Sequence, residues 1–143
     1  MKIIITIISL LAAAILAFAI AVPLINDNIA KNTAKELAEI PLPENTRYIE
    51  SVSRAGKLVG NGNGMQFFGA VLIESGLSLE ELDAHYSAYT DNKCGVKKQN
   101  GSEVGIIEHG SLAFKSEVGD NSYIVYLWGS SNNVFSDWDL RGH

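Results

Sequence analysis

A chain of 143 residues has room for one small domain and an N-terminal extension, because a second core would have too few residues to exclude water. Setting Lys2 aside with the apolar N-terminal block leaves ten basic against sixteen acidic residues, a net charge of −6. That balance excludes nucleic acid as an expected partner, since neutralising phosphates needs a basic stripe and the local cluster of Lys93, Lys97 and Lys98 reads as a solvated edge.

Residues 3–25 carry no charge and follow the single basic side chain of Lys2. About 20 residues at 1.5 Å rise cover a bilayer core of about 30 Å, so the segment predicts a transmembrane anchor and makes the membrane a partner through residues 3–25. A cleaved signal peptide is the rival, because Ala17-Phe18-Ala19 and Ala19-Ile20-Ala21 offer small residues at signal-peptidase spacing. The run is longer than the usual apolar region of about 7 to 15 residues, and Pro23 lies just past the second candidate site, which favours the uncleaved anchor. The signal-like architecture places the remaining domain outside the cytoplasm.

Between residues 26 and 41, Ile29, Ala30, Ala34, Leu37 and Ile40 recur at roughly helical spacing, which predicts a helical stalk or linker continuing the anchor. Pro41-Leu42-Pro43 should stop it, and the α+β domain is expected over residues 42–143. A first strand is predicted over 47–54. A second, over 65–73, is apolar on both faces and so should be central in its sheet.

Ser78-Leu79-Glu80-Glu81 is a capping box with Leu77 and Leu82 at the staple positions, predicting a helix over 79–89 that lays Leu79, Leu82, Tyr86 and Tyr89 on the sheet. Beyond it, Asn100-Gly101 suits a two-residue hairpin turn between strands at 94–99 and 103–108. Residues 112–117 form a further candidate strand, and 123–129 reads as a second central one. The expected architecture is α+β: an N-terminal transmembrane helix, then a mostly antiparallel sheet of about five strands in β-β-α-β-β-β order, covered by one helix.

Two stretches are candidates for binding. Gly60-Asn61-Gly62-Asn63-Gly64 resembles a phosphate loop, but the third glycine of G-x-G-x-x-G is replaced by Met65 and a strand follows instead of a helix. The plain reading is a turn that uses positive φ; the length of the run leaves room for a loop that approaches a partner or ligand. In the second stretch, Asp137, Asp139, Arg141 and His143 alternate on one face if the chain is extended, and His109 could join them if the fold allows. That polar cluster could hold a divalent ion, or it could be the solvated side of an edge strand with Asp139 pairing Arg141.

His85 reads as a helix-flank residue. Cys94 is the one cysteine, so an internal disulfide, a zinc ribbon and a CxxC pair are excluded, and it lacks a catalytic flank, although pairing with His109 or His143 in space stays open. No G-x-S-x-G or other catalytic motif occurs, so no catalytic residue is assigned, no enzyme activity is expected and no cofactor is called for.

The stretches GKLVGNGNGMQFFGAVLI and SLEELDAHYSAY, the pair Trp128-Gly129 and the terminal DLRGH resemble an uncharacterised family of small single-pass envelope proteins of Gram-positive bacteria, over most of the chain after Pro41. The resemblance implies an envelope-anchored bacterial protein and no particular activity. The expected function is a membrane-anchored extracytoplasmic interaction or accessory module with a possible envelope protein partner. The alternatives are a small-ligand or divalent-metal-binding envelope protein and a secreted globular protein freed by signal cleavage.

Overall fold

The structure is a computed structural model that describes residues 1–130 and 134–143. Its first element, α1, is one helix over Lys2–Ala38 that runs through Pro23 without interruption. All residues up to Ala21 are exposed, and the large apolar ones among them include Ile3, Leu10, Leu16 and Phe18. From Val22 onward the helix changes character: Val22, Asn26, Ala30, Thr33, Ala34 and Leu37 are buried along one stripe. The segment expected as a stalk therefore contributes a face of the core.

Among the described residues the sheet has four strands, β1 (Thr46–Gly56), β2 (Gln66–Ser75), β3 (Cys94–Lys98) and β4 (Ser122–Gly129), in the spatial order β1-β2-β4-β3 and antiparallel throughout. The two strands with apolar residues on both faces, β2 and β4, occupy the centre as their patterning required. Phe67, Val71 and Ile73 of β2 face the helices, while Phe68, Ala70 and Leu72 face the opposite side.

Close approach of α1 to the sheet depends on two glycines. A Cβ on Gly69 would lie 2.3 Å from the Ala34 nitrogen, and one on Gly129 would lie 2.3 Å from the Thr33 hydroxyl oxygen. Helix α2 (Leu79–Thr90) covers the rest of the same face. Its capping box is formed as the sequence predicts, with Glu81 N donating to Ser78 Oγ at 3.2 Å and Ser78 N donating to Glu81 Oε2 at 2.9 Å. Of the expected stripe, Leu82 and Tyr86 are buried, whereas Leu79 and Tyr89 remain exposed because α1 already occupies part of the sheet.

Four expectations are corrected. The sheet is covered by two helices, since the second half of α1 joins α2. It has four strands where about five were expected. Residues 103–108 and 112–117 are not strands and share one isolated bridge, Glu103 to Ala113. Asn100-Gly101 turns the chain, with Gly101 at φ 85°, but joins no hairpin: β3 pairs with β4, Val96 opposite Val125.

The physical reason lies in what this irregular segment covers. Val104, Phe114 and their half-buried neighbours Ile106, Ile107 and Leu112 cap the face formed by Phe68, Ala70, Leu72 and Ile124. Its backbone groups are satisfied piecemeal, by bonds such as Val104 N to the Leu112 carbonyl and Phe114 N to the Ser102 carbonyl and by side chains, instead of by a continuous ladder. Gln99 Nε2 donates to the carbonyls of Gly101 and Glu103, Glu50 Oε2 accepts from the amides of Lys115 and Ser116, and Arg54 donates to the Ser111 carbonyl.

Candidate functional site

The most prominent concavity, a groove of about 690 Å³, opens where α1 leaves its apolar segment. Four separate stretches build it: Asp27 and Lys31 from α1, Ser53 to Leu58 from the end of β1 and its continuation, His109 and Gly110 from the irregular layer, and Arg141 with His143. It gathers four of the ten lysines and arginines that follow the apolar segment, with one of the sixteen carboxylates. On a domain of net charge −6 that is a marked segregation of charge.

Arg141 is its fixed point. Nε donates to Asp139 Oδ1 at 2.9 Å and Nη2 to Asp139 Oδ2 at 2.8 Å, a bidentate fork, while Nη1 reaches Asp27 Oδ1 at 2.8 Å and Nη2 also reaches the Pro23 carbonyl at 3.0 Å. Asp139 is buried, and Asn26 Nδ2 donates to its Oδ2 at 2.9 Å. The Arg141 bonds, aided by Asn26 and opposed by burial, push the Asp139 carboxyl down to about 2. The same pairing holds the Arg141 guanidinium above its ordinary value.

The glycine-rich stretch supports this arrangement from behind. Lys57 N donates to the Arg141 carbonyl at 2.7 Å, and Gly64 N donates to the Gly142 carbonyl at 2.6 Å, so the two ends of the loop clasp residues 141–142. Gly60 has φ 72° and Gly64 φ 140°, the conformations expected of a glycine turn. Gly60 N donates to Glu108 Oε2 at 2.8 Å, and the ring of His109 bonds the Gly60 carbonyl at 2.7 Å. Asn61, Gly62 and Asn63 are exposed and do not line the groove.

Of the polar residues singled out in the sequence, His109, Arg141 and His143 meet in the groove, whereas Asp137 and Asp139 do not line it. Asp139 is turned inward to Arg141 and Asn26, and the Asp137 carbonyl meets the His143 ring at 3.3 Å. Among the described residues no three histidine, cysteine or acidic side chains converge as a metal-binding group. Cys94 packs in the core cluster under α2, outside the groove, and His85 bonds the Pro41 carbonyl at 2.7 Å from the flank of its helix.

No family model, curated protein or solved structure matches the chain. The chemistry of the site is therefore read from its own side chains. Lys31 and Lys57 line the groove, and among the described residues no ion pair engages either ammonium. Two mobile point charges beside a fixed guanidinium favour an anion.

Sequence reasoning missed Asn26, Asp27, Lys31, Arg54 and Lys57. One signal was available: Asn26 interrupts the stripe Val22, Asn26, Ala30, Ala34, Leu37 at helical spacing, and a polar residue on a buried face must have a partner.

Beside the groove, the chain touches the apolar half of α1 a second time. Phe18 meets Trp138 edge-on at 6.0 Å between ring centroids and Phe135 at 6.3 Å. In the same segment Val134 is 68% exposed, Trp138 65% and Leu140 88%.

Proposed function

We propose that this protein is a membrane-anchored extracytoplasmic interaction or accessory module of the Gram-positive cell envelope, acting without catalysis. The observation that carries the reading is the continuity of α1. The helix is long and apolar enough to cross a membrane, and its C-terminal half is built into the core of the folded domain. Such an anchor holds the domain at a fixed height and orientation on the bilayer, which suits a part that presents a surface to envelope partners. The exposed Asn61-Gly62-Asn63 tip is the surface we assign to a protein partner.

Fractionation tests the anchor and crosslinked co-purification tests the module. The full-length chain should stay in membranes after alkaline carbonate extraction, and its domain should be digested by protease added to intact spheroplasts. A mature mass beginning at Val22 would overturn the anchor in favour of a secreted protein. A stoichiometric partner lost on replacing Asn61, Gly62 and Asn63 by Ala supports the module, and its retention overturns the assignment of that tip. Gly60 and Gly64 are left intact in this variant because alanine would be strained at their φ values.

A second reading, a small-ligand-binding envelope protein, is favoured by the concentration of cations in the groove. It requires saturable binding of an anion that is weakened when Lys31 and Lys57 are neutralised.

A further inference from the structure

The height of the groove above the apolar helix, together with its charge, identifies a ligand class. A hydrocarbon core of about 30 Å takes about 20 helical residues, so a span that begins at Ile3 ends near Val22. Phe18 then lies about 6 Å inside that edge, and the Trp138 ring, 6.0 Å from it between centroids, is within reach of the hydrocarbon boundary. Asp27 and Lys31 stand about 8 and 14 Å above the same edge. The polar layer of a leaflet is roughly 5–8 Å deep, so Asp27 stands at its outer limit and Lys31 about 6 Å beyond it, a gap that a lysine stem lying back along the helix spans to bring its ammonium to the polar layer.

We infer that the groove is a seat for the phosphate of an anionic phospholipid, with Lys31 and Lys57 supplying the charge and Arg141 holding the floor in place. This rests on the membrane-anchor reading and deepens the small-ligand one. Three observations converge on it. The cations are segregated here on an otherwise acidic domain, where an anionic partner would be repelled elsewhere. Four of the five Arg141 N–H donors are engaged by Asp139, Asp27 and the Pro23 carbonyl, which fixes the floor without consuming the lysines. Trp138, three positions before Arg141, packs on Phe18 of the apolar segment, and Val134 and Leu140 are exposed on either side of it in sequence, so acyl chains and headgroup would be met by adjoining parts of one segment.

The test uses the full-length chain in neutral detergent micelles, with bound lipid counted by native mass spectrometry. Three probes are offered: short-chain phosphatidylglycerol, phosphatidylcholine with the same chains, and inorganic phosphate. The expected result is a severalfold excess of phosphatidylglycerol over phosphatidylcholine adducts, abolished in Lys31→Gln/Lys57→Gln and retained in Lys93→Gln/Lys115→Gln, which removes the same charge elsewhere. Equal retention of the two lipids, or equal loss in both double variants, overturns the proposal. Displacement of phosphatidylglycerol by equimolar inorganic phosphate would assign the groove to a soluble anion and overturn the lipid source. Recovery of the chain in the soluble fraction would overturn the anchor and the depth argument with it, whereas a membrane-bound chain without lipid preference overturns the seat alone.

Discussion

Gly69 and Ala34 are in contact through their backbones: a Cβ on Gly69 would stand 2.3 Å from the Ala34 nitrogen and 2.7 Å from its Cα. This contact sets how closely the helix that leaves the apolar segment can lie on the sheet. Gly69→Ala should destabilise the domain by about 1–3 kcal/mol, because the obstructing atoms are backbone and must move as a unit. Gly62→Ala, with nothing within 4 Å of its Cβ, should stay within about 0.5 kcal/mol. Thermal melts of the two variants should separate by several degrees; equal melting temperatures would show that α1 does not press on β2.

Asp139 gives stability a pH dependence of known sign. Its carboxyl is held at about 2 in the folded chain, chiefly by Arg141, against an ordinary value of 3.8. A depressed folded value means that the stabilisation is present in full above about pH 4 and is lost as pH falls toward 2. The loss should be of order 2 kcal/mol. Denaturant melts of the unchanged protein and Asp139→Asn should converge across that interval. Parallel stability profiles would show that the Asp139 to Arg141 bonds contribute no net stability.

The capping box at the start of α2 is a smaller, local term. Ser78→Ala removes the acceptor of the Glu81 amide and should cost about 1 kcal/mol. Hydrogen exchange should speed up at Glu81 and leave the β2 amides protected relative to the global opening rate. Uniform acceleration across the sheet would instead mean that α2 unfolds only with the whole domain.

The Phe18 to Trp138 contact places an indole beside the apolar segment of α1. With Trp128→Phe removing the other tryptophan, emission from Trp138 in reconstituted membranes should be blue-shifted and quenched by lipids brominated near the glycerol. Emission that matches a water-exposed indole and ignores brominated lipid would put the 134–140 segment away from the bilayer.

Sequence by itself determined what depends on local pattern. The apolar run, the capping box, the glycine turn and the two strands apolar on both faces were all legible, because each is set by the periodicity or φ preference of neighbouring residues. Residues 103–118 defeated that logic, since an apolar segment that covers a sheet face irregularly has much the same composition as one that extends the sheet. The pairing of β3 with β4 and the satisfaction of the segment's backbone by Gln99, Glu50 and Arg54 are tertiary facts.

The groove was legible only in fragments. His109, Arg141 and His143 were visible as polar residues, but the partners that give them meaning come from distant segments, with Asp27 and Arg141 separated by 114 positions. Asp139 read as a surface carboxylate because alternation assumed an extended strand, whereas a short 3-10 turn over Leu140–Gly142 turns it inward to Asn26. Where α1 ceases to be exposed and begins to face the sheet was likewise decided by packing. Beyond the change at Val22, Gly69 and Gly129 let α1 meet the sheet closely at Thr33 and Ala34, a complementarity of shape that a linear pattern of hydropathy does not encode.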